Sequence, residues 1–173
     1  LRLKTYDVTI NLPEGLTRLA SSGELVQNCS TLTTVYAYLT DATNYYIPDD
    51  YGLTLNGLTV GKSNNRIYIS GSPTANTTIT LPAPTEKGEQ PNAPTGLETQ
   101  DPTSSNGFGY INNTTSKMEY RLVGSTGSWT TCGNSWTTAG AGKYEVRFKA
   151  TDTLKPSPST EVVINRFIES IPV

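Results

Sequence analysis

Leu81-Pro82-Ala83-Pro84-Thr85-Glu86-Lys87-Gly88-Glu89-Gln90-Pro91-Asn92-Ala93-Pro94-Thr95 divides the chain near its middle. The run has four prolines, a glycine and several charged residues, and after Leu81 nothing apolar larger than alanine except proline itself. Such a stretch supplies no core of its own, and its prolines favour extended, stiff backbone. On each side lie roughly eighty residues, the size of one small all-β domain. The expectation is two beads on a semi-rigid connector: a β-sandwich over residues 1–82, a Pro-rich linker over 83–94 and a second β-sandwich over 95–173.

Composition agrees with strands and tight turns. Only 35% of the 173 residues are hydrophobic. Much of the remainder is Thr, Ser, Asn, Gly and Tyr, which suit half-buried pleated surfaces and the turns between them. The net charge of −2 comes without a basic cluster, which argues against nucleic acid as a partner. No apolar run approaches the roughly 20 residues that cross a bilayer, so no membrane insertion is expected. A chain that starts at Leu1 is expected to be cut from a longer one, whose other domains are its first partners. Cys29 and Cys132 fall in different beads, so two free thiols are expected. The absence of histidine removes the usual general base, the usual metal ligand and the Ser-His or Cys-His nucleophile pairs.

In the first bead Leu1 and Leu3 alternate before the phase shifts to Tyr6, Val8, Ile10 and Leu12. The shift predicts either a bulge at Thr5 or a strand beginning there, with Asp7 and Thr9 outward. Pro13 to Gln27 has Leu16, Leu19 and Ala20 at helical spacing, interrupted by Ser21-Ser22-Gly23, and reads as one helical turn or an ordered loop. Val35, Ala37 and Leu39 line one face of the next strand and Tyr36 and Tyr38 the other. Leu58-Thr59-Val60 and Arg66-Ile67-Tyr68-Ile69 flank a turn and predict a hairpin. Thr77 to Leu81 closes the bead with Ile79 and Leu81 inward. Short strands at this spacing argue for a sandwich.

In the second bead Met118, Tyr120 and Leu122 are expected inward. Tyr144, Val146, Phe148 and Ala150 form the inner face of the strongest strand, with Glu145, Arg147 and Lys149 facing water.

A resemblance rests on particular stretches. Ile69-Ser70-Gly71-Ser72-Pro73-Thr74 followed by Thr77 to Leu81 resembles the turn-and-strand signature of immunoglobulin-like repeats in bacterial surface proteins. Tyr45-Tyr46-Ile47-Pro48-Asp49-Asp50-Tyr51 is similar to the aromatic-Pro-acidic corner in repeats of large Gram-positive, clostridial-type surface proteins. Pro94-Thr95-Gly96-Leu97 resembles the opening of fibronectin-like and immunoglobulin-like modules. Met118 to Tyr120, Trp129 to Cys132 and Tyr144 to Asp152 together resemble the strands of such repeats. Gly142-Lys143-Tyr144 is similar to the start of the penultimate strand, where a tyrosine hydroxyl bonds backbone to close a corner. The resemblance covers the second half of the first bead and most of 94–165, and Leu12 to Ser30 lies outside it. It implies an all-β chain of two tandem immunoglobulin-like β-sandwich domains, extracellular and part of a bacterial surface protein.

The function that follows is non-catalytic: an adhesin stalk or spacer, or a protein-interaction module. The first alternative is a carbohydrate-binding accessory domain that takes a host or environmental glycan, and the second is a phage structural or decoration domain. Candidate sugar-stacking residues are Trp136, Trp129, Tyr45, Tyr46 and Tyr51, because flat rings pack against the apolar faces of sugars. Glu119 and Glu145 are the carboxylates that could flank a glycosidic bond, but they alternate outward beside Arg121 and Arg147, which reads as surface charge pairing. Asp41, Asp49 and Asp50 lack the alternate spacing of a calcium loop. No enzyme activity, cofactor or metal is expected. Lys149 and Asn165, near Glu161, are the conceivable partners of an isopeptide cross-link.

Overall fold

The structure, a computed structural model, describes residues 2–172 and is all-β, with seventeen strands and no helix among the described residues. The chain divides into two compact units at Lys87/Gly88.

The first unit contains β1 (Tyr6–Asn11), β2 (Leu16–Arg18), β3 (Val26–Cys29), β4 (Val35–Leu39), β5 (Tyr45–Tyr46), β6 (Leu53–Leu55), β7 (Leu58–Ser63), β8 (Arg66–Gly71), β9 (Thr77–Thr80) and β10 (Thr85–Glu86). One sheet has the order β3-β1-β9 and the other β2-β4-β8-β7-β6, while β5 and β10 form a two-stranded ribbon. The alternating residues of β1, β4, β7, β8 and β9 send one set inward, and the two sheets share one core. Val8, Ile10 and Ile79 come from the smaller sheet; Val35, Ala37, Leu58, Val60, Ile67 and Ile69 come from the larger. Burial of each large side chain is worth about 1.5–3 kcal/mol, so this β-sandwich-type core holds the unit together. β1 pairs antiparallel with β3 and parallel with β9, Val8 facing Thr77 and Asn11 facing Thr80.

Pro13 to Gln27 makes neither a helical turn nor a single loop. Leu16 enters the core from β2, opposite Leu39, whereas Ala20 of the same apparent helical stripe is exposed. Arg18 holds the loop between β2 and β3: its Nη1 donates to the carbonyls of Ser22 (2.9 Å) and Gly23 (3.2 Å), and it pairs with Glu24 at 3.3 Å. A Cβ on Gly23 would stand 2.1 Å from the Thr33 carbonyl oxygen, so only glycine fits there. β6 has no counterpart among the strands expected from the sequence. It joins β7 through Asn56-Gly57 at φ +48° and +79°, the left-handed pair that a tight hairpin turn requires.

Within residues 83–94, expected as a linker, the backbone of Thr85 to Gly88 is hydrogen-bonded. Thr85 and Glu86 face Tyr46 and Tyr45, and the Lys87 amide donates to the Asn44 carbonyl at 2.8 Å. In the second unit the Gly88 amide donates to Thr153 O at 2.9 Å, and Gln90 Nε2 donates to the carbonyls of Lys149 (2.8 Å) and Lys155 (2.7 Å). Prolines lack a donor, but the residues between them keep theirs and use them.

The second unit contains β11 (Glu98–Gln100), β12 (Gly109–Thr114), β13 (Met118–Leu122), β14 (Thr130–Thr131), β15 (Ser135–Ala139), β16 (Gly142–Phe148) and β17 (Thr160–Ile164). Its sheets have the orders β11-β12-β15 and β14-β13-β16-β17. Ile111 and Ala139 from the first meet Met118, Tyr144, Val146, Val162 and Ile164 from the second. A Cβ on Gly109 would lie 2.4 Å from Ile164 Cγ2 and 2.5 Å from the Gln100 carbonyl oxygen, which explains a glycine at this position of β12. Tyr144 donates its hydroxyl to the Gly140 carbonyl at 3.0 Å, the corner bond expected from Gly142-Lys143-Tyr144. Leu122, expected inward, is 50% exposed at the end of β13. Cys29 is half-buried and Cys132 buried, and both are free thiols.

Candidate functional site

The aromatic residues named as stacking candidates meet different fates. Trp136 lies on the outer face of β15, because its neighbour Thr137 is drawn into the core and hydrogen-bonded at 2.9 Å to Thr114. It faces Asn112 of β12, which in turn faces Glu98 of β11; the next row outward is Thr138, Tyr110 and Gln100. At 56% exposure the indole is open to solvent, beside amide and carboxyl groups able to bond sugar hydroxyls. The local backbone is unusual. Ser135 has φ +73°, Asn113 φ +64°, and the β12–β15 register slips between Asn112 and Thr114. Bulges of this kind re-aim side chains, and non-glycine residues hold a left-handed φ at a cost.

Trp129 is occupied. The guanidinium carbons of Arg147 and Arg121 lie 3.8 and 4.3 Å from its ring centroid. Both arginines are also bound to carboxylates, Arg147 Nε to Glu119 Oε1 at 2.8 Å and Arg121 Nε to Glu145 Oε1 at 2.6 Å. Glu119 and Glu145 are thus each committed to an arginine directly across β13 and β16.

Tyr51 is buried at 6% exposure and donates its hydroxyl to the Pro82 carbonyl at 2.6 Å, so its ring has no face left for a ligand. Burial pushes its pKa up to about 12. It plugs the end of the sandwich instead of forming a platform. Tyr46 is half-buried, while Tyr45 is 38% exposed and walls a cleft of about 390 Å³ with Glu14, Leu39, Thr40, Asp41 and Pro84. Asp41 shapes that cleft by accepting the Asn44 side chain (3.0 Å) and the amides of Asn44 and Thr43; the Asn44 bonds hold its carboxyl below the usual range. Asp49 is bound to Lys62 at 2.7 Å, which lowers its pKa in turn.

Among the described residues no group of three or more Asp, Glu or Cys stands close enough together to hold a metal ion. Asn165, named for a cross-link, gives its amide and its Nδ2 to Asp101 at 2.8 and 3.1 Å. The chemistry such surfaces support is recognition by stacking and hydrogen bonding. The alternation Tyr36-Ala37-Tyr38, which in the sequence marks only an outward face, brings two rings beside Tyr68 on the larger sheet of the first unit. The missing signal was long-range pairing, since Tyr68 is thirty residues distant in sequence. No family model, curated protein or solved structure matches the chain.

Proposed function

We propose that this chain is a non-catalytic spacer of an extracellular surface protein, its two units being immunoglobulin-like modules that carry load and hold another region of the parent molecule at a distance. The supporting observation is the direction of the first and last strands in each unit. In the first, β1 and β9 run parallel and side by side over Val8–Asn11 and Thr77–Thr80. In the second, the incoming Pro94–Asp101 segment and the outgoing Thr160–Asn165 segment run in the same sense. Thr160 Oγ1 donates to the Pro94 carbonyl at one end, and the Asn165 amide donates to Asp101 Oδ1 at the other. A unit built this way receives the chain at one end and releases it at the opposite end. Tension along the chain then loads the parallel bonds of β1 and β9 together, in shear, so that none yields alone. The corner bond from Tyr144 and the sandwich-type packing fit the same module type.

Single-molecule stretching tests this. Pulled through its ends, each unit is expected to give one cooperative force peak. The first unit should resist more when pulled this way than through attachments at residues 59 and 70. Those two residues face each other on the antiparallel strands β7 and β8, where the bonds break in sequence, like a zip. Gradual extension without peaks, or equal resistance in both directions, removes the load-bearing reading.

A second reading, carbohydrate recognition by the second unit, is favoured by the exposed Trp136 ring next to the left-handed Ser135. A panel of mucin, plant and bacterial glycans tested against the chain and its Trp136→Ala variant decides it.

A further inference from the structure

The outer face of the larger sheet in the first unit is a platform of tyrosines. In β4 and β8 the core takes Val35, Ala37, Ile67 and Ile69, so Tyr36, Tyr38, Arg66 and Tyr68 project outward. Tyr36 faces Tyr68 directly, Tyr38 faces Arg66, and Gly61 of β7 faces Tyr68 from the other side. A Cβ on Gly61 would stand 2.2 Å from Tyr68 Cζ and 2.3 Å from its hydroxyl oxygen. The ring therefore lies across the sheet, over the glycine, and turns a flat face to solvent. Tyr38 and Tyr68 are 41% and 36% exposed. With Asn64 and Asn65 of the β7–β8 turn, these residues bound a shallow recess of about 480 Å³.

Charge narrows the occupant. The strands β4, β7 and β8 contain no aspartate or glutamate. Lys62, the other cation of β7 and β8, points away to the Ile47 carbonyl and Asp49. Arg66 is exposed, rests over the Tyr36 ring at 5.6 Å, and has no carboxylate partner among the described residues. Apolar ring faces, amide and hydroxyl groups, and one fork-shaped cation without an anion match a pyranose that carries a carboxylate. A nucleic acid would find the same rings, but its affinity comes from several neutralised phosphates, and this face offers a single arginine on a chain of net charge −2.

We propose that Tyr36, Tyr38, Tyr68 and Arg66 form a binding site for an acidic glycan, with the rings stacking on sugar faces and Arg66 taking the carboxylate. The site stands whether or not the units serve as spacers.

Isothermal titration of the whole chain tests it with four probes: an oligogalacturonide, its methyl ester, a sialylated oligosaccharide and oligothymidylate. One of the two acidic sugars is expected to bind saturably, and which one it is identifies the source of the carboxylate. If the galacturonide binds, methyl esterification should weaken it about tenfold, the effect of losing one charge-assisted bond. Arg66→Gln should weaken either acidic sugar by the same factor and leave the methyl ester unchanged. Tyr68→Ala should abolish binding. Gly61→Val should do so too, although it keeps every side chain that touches the sugar, because its branched Cβ lifts the Tyr68 ring. Urea titration confirms that each variant is folded, and Arg66→Gln, on an exposed side chain, remains a valid test if a tyrosine variant fails. The proposal is overturned if neither acidic sugar binds, if Arg66→Gln and Gly61→Val both bind as the parent does, or if oligothymidylate binds more tightly than either sugar.

Discussion

Arg147 stands directly opposite Glu119 across β16 and β13, donating to its carboxylate at 2.8 Å while its guanidinium lies 3.8 Å from the centre of the Trp129 ring. The neighbouring pair, Arg121 and Glu145, repeats the arrangement under the same indole. All four charged side chains are between 17% and 28% exposed. Exposed ion pairs alone contribute little, but a ring laid over two arginines excludes water from both and adds an attraction of about 0.5–1 kcal/mol each. Trp129→Ala is therefore expected to destabilise the second unit by about 2 kcal/mol in urea unfolding, including the lost apolar burial. A loss under about 0.5 kcal/mol would mean that the carboxylates alone fix the arginines.

Tyr51 makes stability depend on alkaline pH. Its hydroxyl ionises at about 12 in the fold against an ordinary 10.0, so the folded pKa is the raised one. Below pH 10 both states keep the proton and the contribution is complete. As pH climbs from 10 towards 12 the unfolded chain ionises first, and stability falls. Tyr51→Phe leaves the Pro82 carbonyl without its donor and should cost about 1 kcal/mol at neutral pH. That deficit should shrink between pH 10 and 12, because phenylalanine has no proton to lose. Urea midpoints of parent and variant at pH 8 and pH 11 read the difference directly, since the other tyrosines cancel. A constant deficit across that range would place the Tyr51 hydroxyl in water.

Much of the fold was legible wherever burial was decided locally. The alternation in Val35–Leu39 and Lys143–Phe148 settles which residues enter the core, because strand geometry leaves no other choice. A corner bond from the Tyr144 hydroxyl to backbone was expected from resemblance alone, and its acceptor, the Gly140 carbonyl, lies four residues away. What escaped depends on distant partners. Pro13 to Gln27 is not helical because Leu16–Arg18 pairs with residues 37–39 of β4 and Val26–Cys29 with residues 6–9 of β1, partners about twenty residues away in sequence. Asn56-Gly57, by contrast, was a local hairpin signal that could have revealed β6. Proline content marks where the chain divides but describes only missing donors, so it did not reveal that Thr85, Lys87 and Gly88 pair. Of the aromatic candidates, only exposure in three dimensions separates Trp136 from the buried Tyr51.

Behind Trp136 lies a closed ring of hydrogen bonds. The Thr114 hydroxyl donates to the Gly133 carbonyl at 2.8 Å and meets the Thr137 hydroxyl at 2.9 Å, which accepts the Gly133 amide at 3.0 Å. Both threonines are buried, at 1% and 6% exposure. Thr114→Val and Thr137→Val each remove a hydrogen bond to the backbone of the exposed Gly133, and each should cost about 1 kcal/mol in urea unfolding. Because the hydroxyls share one ring, the double variant should cost clearly less than the sum. Additive losses would show that the two hydroxyls act independently.

Ser135 and Trp136 separate stability from recognition. Trp136→Ala removes a ring that is 56% exposed and should change stability by no more than about 0.5 kcal/mol. Ser135 sits at φ +73°, where a Cβ meets backbone crowding that glycine does not. Ser135→Gly should therefore stabilise the second unit by about 1 kcal/mol, the relief of strain exceeding the added freedom of the unfolded chain. If that strain exists to fix the pose of the neighbouring indole, the more stable variant should bind the glycans of the second reading more weakly than the parent. Urea titration beside glycan titration distinguishes the cases. A stabilised variant with unchanged binding makes the strain incidental, and a destabilised one means that the Ser135 side chain supports the turn.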